Sequence, residues 1–233
     1  MPQTVKATQS IEIRELLKLA YKTFTSQKGE FLFQEGMPAK ELYIIKSGKI
    51  QISKITTDGR ELALRICGEN DLCGELTLFT DSPTYLLSAL VLEEGEIAVV
   101  SSDTLENELF RNSDLAFEYM KWMSDHFRRT QTKFRDLVLN GKKGALYSTL
   151  IRMTNSYGAK KEDGSILIDL PLTNQELAKF CATTRESTNR ILNDLKKDHI
   201  ISIKKGKITV HNLQYLKTEI GCEHCPAIYC NIE

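Results

Sequence analysis

The hydrophobic pattern of this sequence changes from a two-residue period to a helical period near residue 101. Upstream of this point, short segments alternate apolar with polar residues and are separated by turns that contain glycine. Between residues 28 and 100 these segments are FLFQEG, ELYIIKSG, KIQISKI, ELALRIC, LLSALVL and EIAVV. Many short strands at regular spacing predict a sandwich or barrel, so we expect a jelly-roll β domain.

The later segment SDLAFEYMKWMSDHFRRTQTKFRDLVL contains neither glycine nor proline and predicts one long helix. Met120, Phe127 and Phe134 are seven residues apart, and a second row, offset by three residues, contains Met123, Thr130 and Leu137. A helix of this kind pairs with a copy of itself or packs on its own β domain. We favour a homodimer whose interface contains Met120, Met123, Phe127, Phe134 and Leu137.

The five residues NGKKG, 140–144, predict a hinge before a second domain. Two capping-box patterns follow, Thr173 with Glu176 and Thr183 with Glu186, so two helices are predicted to begin ten residues apart. Two short helices joined by a tight turn form a helix-turn-helix. The segment ISIKKGKITV alternates on both sides of KKGK and predicts the hairpin of a winged helix.

The second of these helices carries side chains that can recognise base edges in the major groove of DNA. The face opposite its apolar residues carries Arg185, Glu186, Asn189 and Arg190. Arginine pairs with guanine, glutamate accepts from cytosine, and asparagine pairs with adenine. The alternative is an ordinary solvent-exposed helix surface, which the capping boxes and the wing disfavour.

Charge is distributed unevenly, although the net charge of the chain is zero. Residues 1–140 carry 17 basic and 21 acidic residues, a net charge of −4, and residues 141–220 carry 14 and 8, a net charge of +6. A basic second half agrees with binding to double-stranded DNA. Since no apolar run approaches the roughly 18 residues of a membrane span, and no secretory signal precedes the β domain, we expect a cytoplasmic protein without a membrane partner.

Three of the six cysteines lie within nine residues in the C-terminal segment CEHCPAIYC. A reducing cytoplasm disfavours disulfides there, whereas thiolates are ligands for zinc, copper(I) or an iron–sulfur cluster. The other cysteines lie singly among apolar residues and are expected to be buried and inert: Cys67, Cys73 and Cys181.

Cys222, Cys225 and Cys230 leave a tetrahedral zinc or a four-iron cluster one ligand short. From the residues alone, the fourth ligand is His224, His211, Asp136 or water. His224 lies between two of the cysteines and would complete a compact zinc site with three cysteines and one histidine.

The sequence resembles the CRP/FNR family of transcription regulators over nearly its whole length. The resemblance rests on GMPAKELYIIKSGKIQI and GELTLF in the β domain and on QELAKFCATTRESTNRIL in the helix-turn-helix. KFRDLVLNGKKGALYSTLIR and CEHCPAIYC are similar to the Bacillus-type FNR subgroup, whose members respond to oxygen. The family resemblance implies an α+β fold in four parts. They are a jelly-roll β domain with an N-terminal helix, resembling cyclic-nucleotide-binding domains (1–110), a dimerisation helix (111–140), a winged helix-turn-helix (141–220) and a cysteine-rich tail (221–233).

The resemblance also implies a function, which is activation of anaerobic and nitrate-linked genes under the control of an oxygen-labile cluster. One [4Fe-4S] cluster per subunit would be held by Cys222, Cys225, Cys230 and Asp136. A regulator gated by another ligand, with structural zinc at the cysteines, remains the alternative. We expect no enzymatic activity, because the sequence has no nucleotide fingerprint and no arrangement typical of a catalytic triad.

For DNA, the resemblance implies a palindrome with TGTGA-like half-sites. Base contacts are implied for Arg185, Glu186 and Arg190, and phosphate contacts for Thr173, Gln175 and Thr184. The loop 80–83 corresponds to a region that touches RNA polymerase in some relatives.

Two departures from the family pattern matter. Relatives that bind cyclic nucleotide carry an arginine and a hydroxyl residue for the cyclic phosphate, where this sequence has Tyr85 and Leu86. A phosphate there would lack a bidentate partner, so we expect no binding of cyclic AMP. Many relatives have glycine at the position of Ala182; if the backbone there is left-handed, alanine costs about 1 kcal/mol.

Overall fold

The protein, as a computed structural model, has the predicted α+β fold, and residues 13–223 and 225–232 are described. This part of the chain divides into two compact units, one ending at Ser124 and the other spanning Asp125–Ile232. The division falls within the long helix, which contributes its first half to one unit and its second half to the other. Among the described residues, no helix is both long and apolar enough to cross a membrane.

The first unit contains two four-stranded antiparallel sheets. Their strands are β1 (Lys22–Ser26), β2 (Phe31–Phe33), β3 (Glu41–Ile45), β4 (Lys49–Ile55), β5 (Glu61–Cys67), β6 (Leu72–Cys73), β7 (Ser88–Glu93) and β8 (Gly95–Ser101). The strand orders are β1-β8-β3-β6 and β2-β7-β4-β5, so neighbouring strands are often distant in sequence. Ile45 and Ile97 of one sheet share a buried cluster with Ile50 and Val91 of the other. The alternating segments therefore form a two-layer β domain, as predicted.

Helices pack against this β domain. They are α1 (Ile13–Lys18), α2 (Ser102–Arg111) and the start of α3 (Ser113–Leu139). Leu115, Tyr119 and Trp122 follow the helical spacing of three and four residues, and all three are buried in one cluster with Leu105 and Leu109 of α2. The first turns of α3 are thus part of the core of the β domain.

The second unit contains the end of α3 and the helix-turn-helix. Its further elements are α4 (Gly141–Tyr157), β9 (Gly158–Lys160), β10 (Ile166–Ile168), α5 (Asn174–Phe180), α6 (Arg185–Lys197), β11 (Ile201–Lys204), β12 (Lys207–Val210) and α7 (Leu213–Glu219). The predicted wing is the β11–β12 hairpin, whose two turn residues, Lys205 and Gly206, both have positive φ. Between α4 and α5 lie β9 and β10, two strands that the sequence did not predict, and they extend the sheet in the order β11-β12-β10-β9.

The predicted five-residue hinge is much shorter in the structure. α3 ends at Leu139 and α4 begins at Gly141, so only Asn140 separates the two helices. Gly141 has a φ of +58°, which glycine adopts without strain. Gly144 lies so close to Asn140 that an added Cβ would be 2.2 Å from the Asn140 Cβ. The junction is therefore compact, with a left-handed glycine at position 141 and no room for a side chain at position 144.

Candidate nucleic-acid interface and candidate metal centre

The first helix of the helix-turn-helix begins with the predicted capping box. Thr173 Oγ1 accepts a hydrogen bond from the Glu176 amide at 3.2 Å, and the Thr173 amide donates to the Glu176 carboxylate at 2.6 Å. The second predicted box is wrong by one residue. α6 is capped by Thr184, whose Oγ1 accepts from the Ser187 amide at 3.2 Å.

The conformation of Ala182 explains this shift. Its φ of +47° reverses the chain, and Thr184 then has the extended backbone that a capping residue requires. The Thr183 hydroxyl is buried and finds no hydrogen-bond partner in the part of the chain that the structure describes. The backbone at residue 182 is therefore left-handed, so the expected cost of about 1 kcal/mol for alanine applies here.

The exposed face of α6 presents the predicted base-contacting side chains. Arg185, Glu186, Asn189 and Arg190 are all exposed, and Thr173, Gln175 and Thr184 are exposed at the starts of α5 and α6. Asn189 accepts a hydrogen bond from Asn174 at 3.0 Å, which links α6 to the first turn of α5. Hydrogen bonds from its own backbone amide and from Thr184 hold the pKa of Glu186 below its usual range. Glu186 is thus an ionised acceptor at neutral pH.

The three C-terminal cysteines and Asp136 line one small pocket in the second unit. The pocket has a volume of about 70 Å³, and its wall includes Cys222, Cys225, Cys230, Asp136, Arg135, Ser148 and Ile151. All three cysteines are free thiols; one of them, Cys230, is buried, and the other two are half-buried. Burial raises the pKa of the Cys230 thiol. The structure therefore brings together the four residues that the family resemblance implied as ligands.

Asp136 is only 5% exposed, and both of its carboxylate oxygens are hydrogen-bonded. Its Oδ2 accepts from Ser148 Oγ at 2.6 Å and from Arg152 Nη2 at 2.8 Å. Its Oδ1 accepts from Arg135 Nε at 3.1 Å and Nη2 at 2.9 Å. Burial opposes ionisation, but the hydrogen bonds from Ser148 and Arg152 outweigh it and hold the pKa of Asp136 below its usual range. The pocket therefore contains a buried carboxylate ion.

Contacts on both sides of the third cysteine hold the C-terminal segment. Tyr229 Oη accepts from Arg128 Nη1 at 3.0 Å, and the Arg128 guanidinium lies 5.5 Å from the centre of the Tyr229 ring. The Tyr229 carbonyl accepts from Arg152 Nη1 at 3.2 Å, and the Cys230 carbonyl accepts from Asn155 Nδ2 at 2.5 Å. These contacts position Cys230 against α3 and α4.

The donor groups fit a soft metal or an iron–sulfur cluster in kind but do not converge on one point. In residues 13–223 and 225–232, no three histidine, cysteine or acidic side chains are arranged to hold a metal ion. The candidate ligand His224 lies outside the described residues. His211 Nε2 bonds to Ser202 Oγ at 2.8 Å in a different groove, so it is not brought together with the cysteines. Three thiols, one carboxylate and two adjacent arginines match an anionic thiolate-rich centre.

Sequence reasoning missed Arg152 and Tyr229. A signal for Arg152 was present, because it lies within the apolar stretch ALYSTLIRM of α4, and its side chain is 1% exposed. A charged residue in that setting needs a partner, which is Asp136. Tyr229 gave no comparable signal.

The predicted dimer residues divide into two groups. Met120, Phe127 and Phe134 are 61%, 64% and 65% exposed. Met123 instead packs against the β-domain core of its own chain, and Leu137 is half-buried. The exposed apolar stripe of α3 continues through Phe117 and Val138, with spacings of three and four residues.

Two family models match this chain. Residues 24–112 match the cyclic nucleotide-binding domain, and residues 145–219 match the Crp-like helix-turn-helix domain. Over 225 residues the chain is 56% identical to the Anaerobic regulatory protein of Bacillus subtilis, which covers 96% of this chain and 94% of that protein. The chain belongs to the CRP/FNR family of transcription regulators.

A further curated protein and a solved structure are also similar to this chain. A CRP-like cAMP-activated global transcriptional regulator of Mycobacterium tuberculosis is 30% identical over 167 residues, covering 72% of this chain and 74% of that protein. The structure of FixK2 from Bradyrhizobium japonicum superposes with a TM-score of 0.70 at 19% identity, covering 84% of this chain and 96% of that one. The latter likeness shows the shared fold.

Tyr85 lies in the buried core of the β domain of this CRP/FNR protein. Tyr85 is buried, its Oη donates to the Glu41 carbonyl at 2.7 Å, and its ring stacks on Phe33 with a centroid distance of 4.0 Å. The buried Glu75 carboxylate accepts from Arg65 Nη2 at 3.0 and 3.1 Å. Tyr85 is therefore an uncharged side chain within the buried core of the β domain.

Proposed function

We propose that this chain is a cytoplasmic, homodimeric transcription regulator that responds to oxygen through one [4Fe-4S] cluster per subunit. The observation that carries the proposal is the pocket in which three C-terminal thiols face Asp136. The identity of 56% with the Anaerobic regulatory protein of Bacillus subtilis supports it. The regulator would mainly activate anaerobic, nitrate-linked genes.

The ligands would be Cys222, Cys225, Cys230 and Asp136. A bound cluster would supply the oxygen-labile group, because a hard carboxylate oxygen holds a soft iron less firmly than thiolate does. The residues of this chain would determine the consequence. Asp136 lies four residues before Asn140, where α3 ends and α4 begins, so ligation would link α3 to the tail that follows α7.

This link would set the helix-turn-helix for DNA. Two recognition helices of a dimer must meet successive major grooves about 34 Å apart, and α4 leads from the α3 junction to the helix-turn-helix. Shifting such a two-state arrangement from 1:99 to 99:1 requires about 5.5 kcal/mol of differential stabilisation. Metal–ligand bonds provide stabilisation of this size.

On DNA, Arg185, Glu186 and Arg190 would contact the bases of a TGTGA-like half-site, with Asn189 beside them. Thr173, Gln175 and Thr184 would contact phosphates. The exposed loop 80–83 would contact RNA polymerase. Cyclic AMP would not be the effector, since the neutral Tyr85 replaces the phosphate-binding arginine and Glu75 is paired with Arg65.

The test compares wild-type protein, Cys225→Ser and Cys67→Ala, all purified without oxygen. Iron, acid-labile sulfide and binding to a TGTGA palindrome are measured before and after exposure to air. We expect the wild type and Cys67→Ala to be brown, to bind the palindrome tightly, and to lose both properties in air. Cys225→Ser should lack the cluster and bind weakly throughout.

Three outcomes would contradict the proposal. They are a colourless wild-type protein that contains zinc, wild-type DNA binding that air does not change, and tight anaerobic binding by Cys225→Ser. The first would favour a regulator that is gated by another ligand and has structural zinc at the cysteines.

A further inference from the structure

The two oxygens of Asp136 are held by arginines with very different surroundings. Arg152 holds Oδ2 together with Ser148, and the Arg152 side chain is 1% exposed. Arg135 holds Oδ1, and its side chain is 32% exposed. One side of the carboxylate is therefore fixed in the protein interior, whereas the other is bonded to a group that can move into solvent.

Arg152 is fixed by partners from three segments. It donates to Asp136 of α3, to Ser148 of α4 at 3.3 Å, and to the Tyr229 carbonyl of the tail at 3.2 Å. A planar guanidinium with this many acceptors has one favourable orientation. Arg152 therefore fixes both the Asp136 carboxylate and the main chain next to Cys230.

Arg135 interacts with the proposed ligand Asp136 and with the segment between Cys222 and Cys225. Its Nη1 forms an ion pair with Glu223, which follows Cys222, and the neighbouring Cys225 contributes to the raised pKa of Arg135. Both Arg135 and these cysteines line the pocket. An iron ion that binds Asp136 Oδ1 therefore has to compete with two hydrogen bonds from Arg135.

We propose that the two arginines have opposite roles in acquisition of the cluster: Arg135 competes with iron for Asp136 Oδ1, and Arg152 positions the carboxylate and Cys230. This inference rests on the proposed function. The exchange would break the two Arg135–Oδ1 hydrogen bonds and form one iron–oxygen bond in place of a water ligand of the iron. Arg135 would keep its proton and its ion pair with Glu223, so this ligand exchange changes no oxidation state. Arg152 and Ser148 retain Oδ2 throughout.

The experiment titrates iron-free protein with an equimolar mixture of ferrous and ferric iron at fixed sulfide, without oxygen, and follows cluster absorbance. Arg135→Gln should form the cluster at several-fold lower iron than the wild type and release it more slowly to a chelator. Arg152→Gln should need about 10- to 100-fold more iron, as is typical when a residue that orients a metal ligand is lost. Lys142→Gln, which removes an exposed charge at the start of α4, should match the wild type.

A second readout uses the iron-free protein alone. Amide hydrogen exchange at residues 229–232 should be faster in Arg152→Gln and unchanged in Arg135→Gln, since Arg152 donates to the Tyr229 carbonyl, whereas the bonds of Arg135 go to Asp136 and Glu223. Arg152→Lys should recover part of the protection and part of the iron affinity. If Arg152→Gln does not fold, the iron titration is repeated with Ser148→Ala. This variant removes one donor to Asp136 Oδ2 and should raise the iron requirement.

The outcomes separate this inference from the function on which it rests. A wild-type protein that forms no cluster would overturn both. A normal wild type with an Arg135→Gln variant that needs more iron would overturn the competition alone, because Arg135 would then stabilise the bound cluster. An iron requirement that neither Arg152→Gln nor Ser148→Ala changes would overturn the positioning role.

Discussion

Ala182 has a left-handed backbone, with a φ of +47°, in the turn between α5 and α6. Its side chain is exposed, so packing around the methyl group does not offset the strain. Relief of about 1–2 kcal/mol of strain should exceed the backbone entropy of about 0.5–1 kcal/mol that glycine adds. Ala182→Gly should therefore raise the free energy of unfolding by about 0.5–1 kcal/mol in urea titrations.

Ala182→Val is the matched control at this position. A β-branched residue is strongly disfavoured at positive φ, so this variant should be less stable than the wild type. If glycine and valine shifted stability in the same direction, strain at residue 182 would not be the cause.

Lys133 is a buried charge on α3 whose Nζ lies 4.9 Å from the centre of the Phe180 ring. Burial, with repulsion from Arg152, lowers the pKa of Lys133 from 10.5 to about 7. Between these two values the unfolded chain carries a proton that the folded chain does not, so folding stability contributed by this group rises with pH. Near neutral pH, charging Lys133 opposes folding by on the order of 5 kcal/mol.

Lys133→Met should therefore be more stable than the wild type at pH 7, and the difference should shrink as the pH rises toward 10. Urea unfolding of both proteins at a series of pH values measures this difference in stability. The contributions of the other titrating groups are common to both proteins and cancel in the difference. Lys142→Met, at an exposed site, should show no such trend. A difference that grows with pH would contradict the assigned sign.

At the scale of elements, α3 has two candidate dimer interfaces. Each consists of two rows of side chains along the helix, and one row is common to both. Met120, Phe127 and Phe134 belong to both. The flanking row predicted from sequence lies three residues after each of them, at Met123, Thr130 and Leu137, whereas the exposed stripe continues four residues after each. Since Met123 packs within its own chain, we propose that the dimer uses the second row, which contains Phe117 and Val138.

Two neighbouring substitutions separate these registers. Gln131 lies on the exposed stripe and Thr130 on the row predicted from sequence, and both side chains are exposed. Gln131→Leu should strengthen the dimer by about 1–3 kcal/mol per buried leucine, and Thr130→Leu should not. Sedimentation equilibrium measures both dissociation constants. A stronger dimer with Thr130→Leu alone would restore the register predicted from sequence.

The sequence predicted elements best where its pattern was long and regular. The long helix, the wing hairpin and the Thr173 capping box were all visible, because each has a periodic or spaced signature over several residues. β9 and β10 were missed, since three-residue strands at the edge of a polar turn have too few residues to show alternation. The cap of α6 was misplaced because adjacent threonines, Thr183 and Thr184, fit the same pattern.

The candidate metal centre shows the same limit. The cysteine spacing was visible in the sequence, but the role of Asp136 came only from the family resemblance. The pairing of Asp136 with Arg152 arises from packing between α3 and α4, and no local sequence pattern shows which residues will pair in this way. Tyr229 contacts Arg128 across 101 residues of sequence, so its anchoring role could only be found in three dimensions.

At the scale of the whole molecule, DNA recognition should depend on having two recognition helices in one particle. Residues 141–220 carry a net charge of +6, which favours non-specific attraction to DNA even for a single subunit. Specific affinity requires both half-sites, because the second contact is intramolecular once the first has formed. Dimerisation through α3 and recognition through α6 should therefore be energetically coupled.

A cycle of one protein change and one DNA change tests this coupling. Phe127→Asp places a charge in the centre of the apolar stripe and should produce monomers, as sedimentation can verify beforehand. For the wild-type protein, scrambling one TGTGA half-site should weaken binding by about 10²- to 10⁴-fold. For Phe127→Asp the same scrambling should have only a small effect, because a monomer uses one half-site at a time. Equal losses for the two proteins would mean that the half-sites are bound independently and that the α3 seam does not organise recognition.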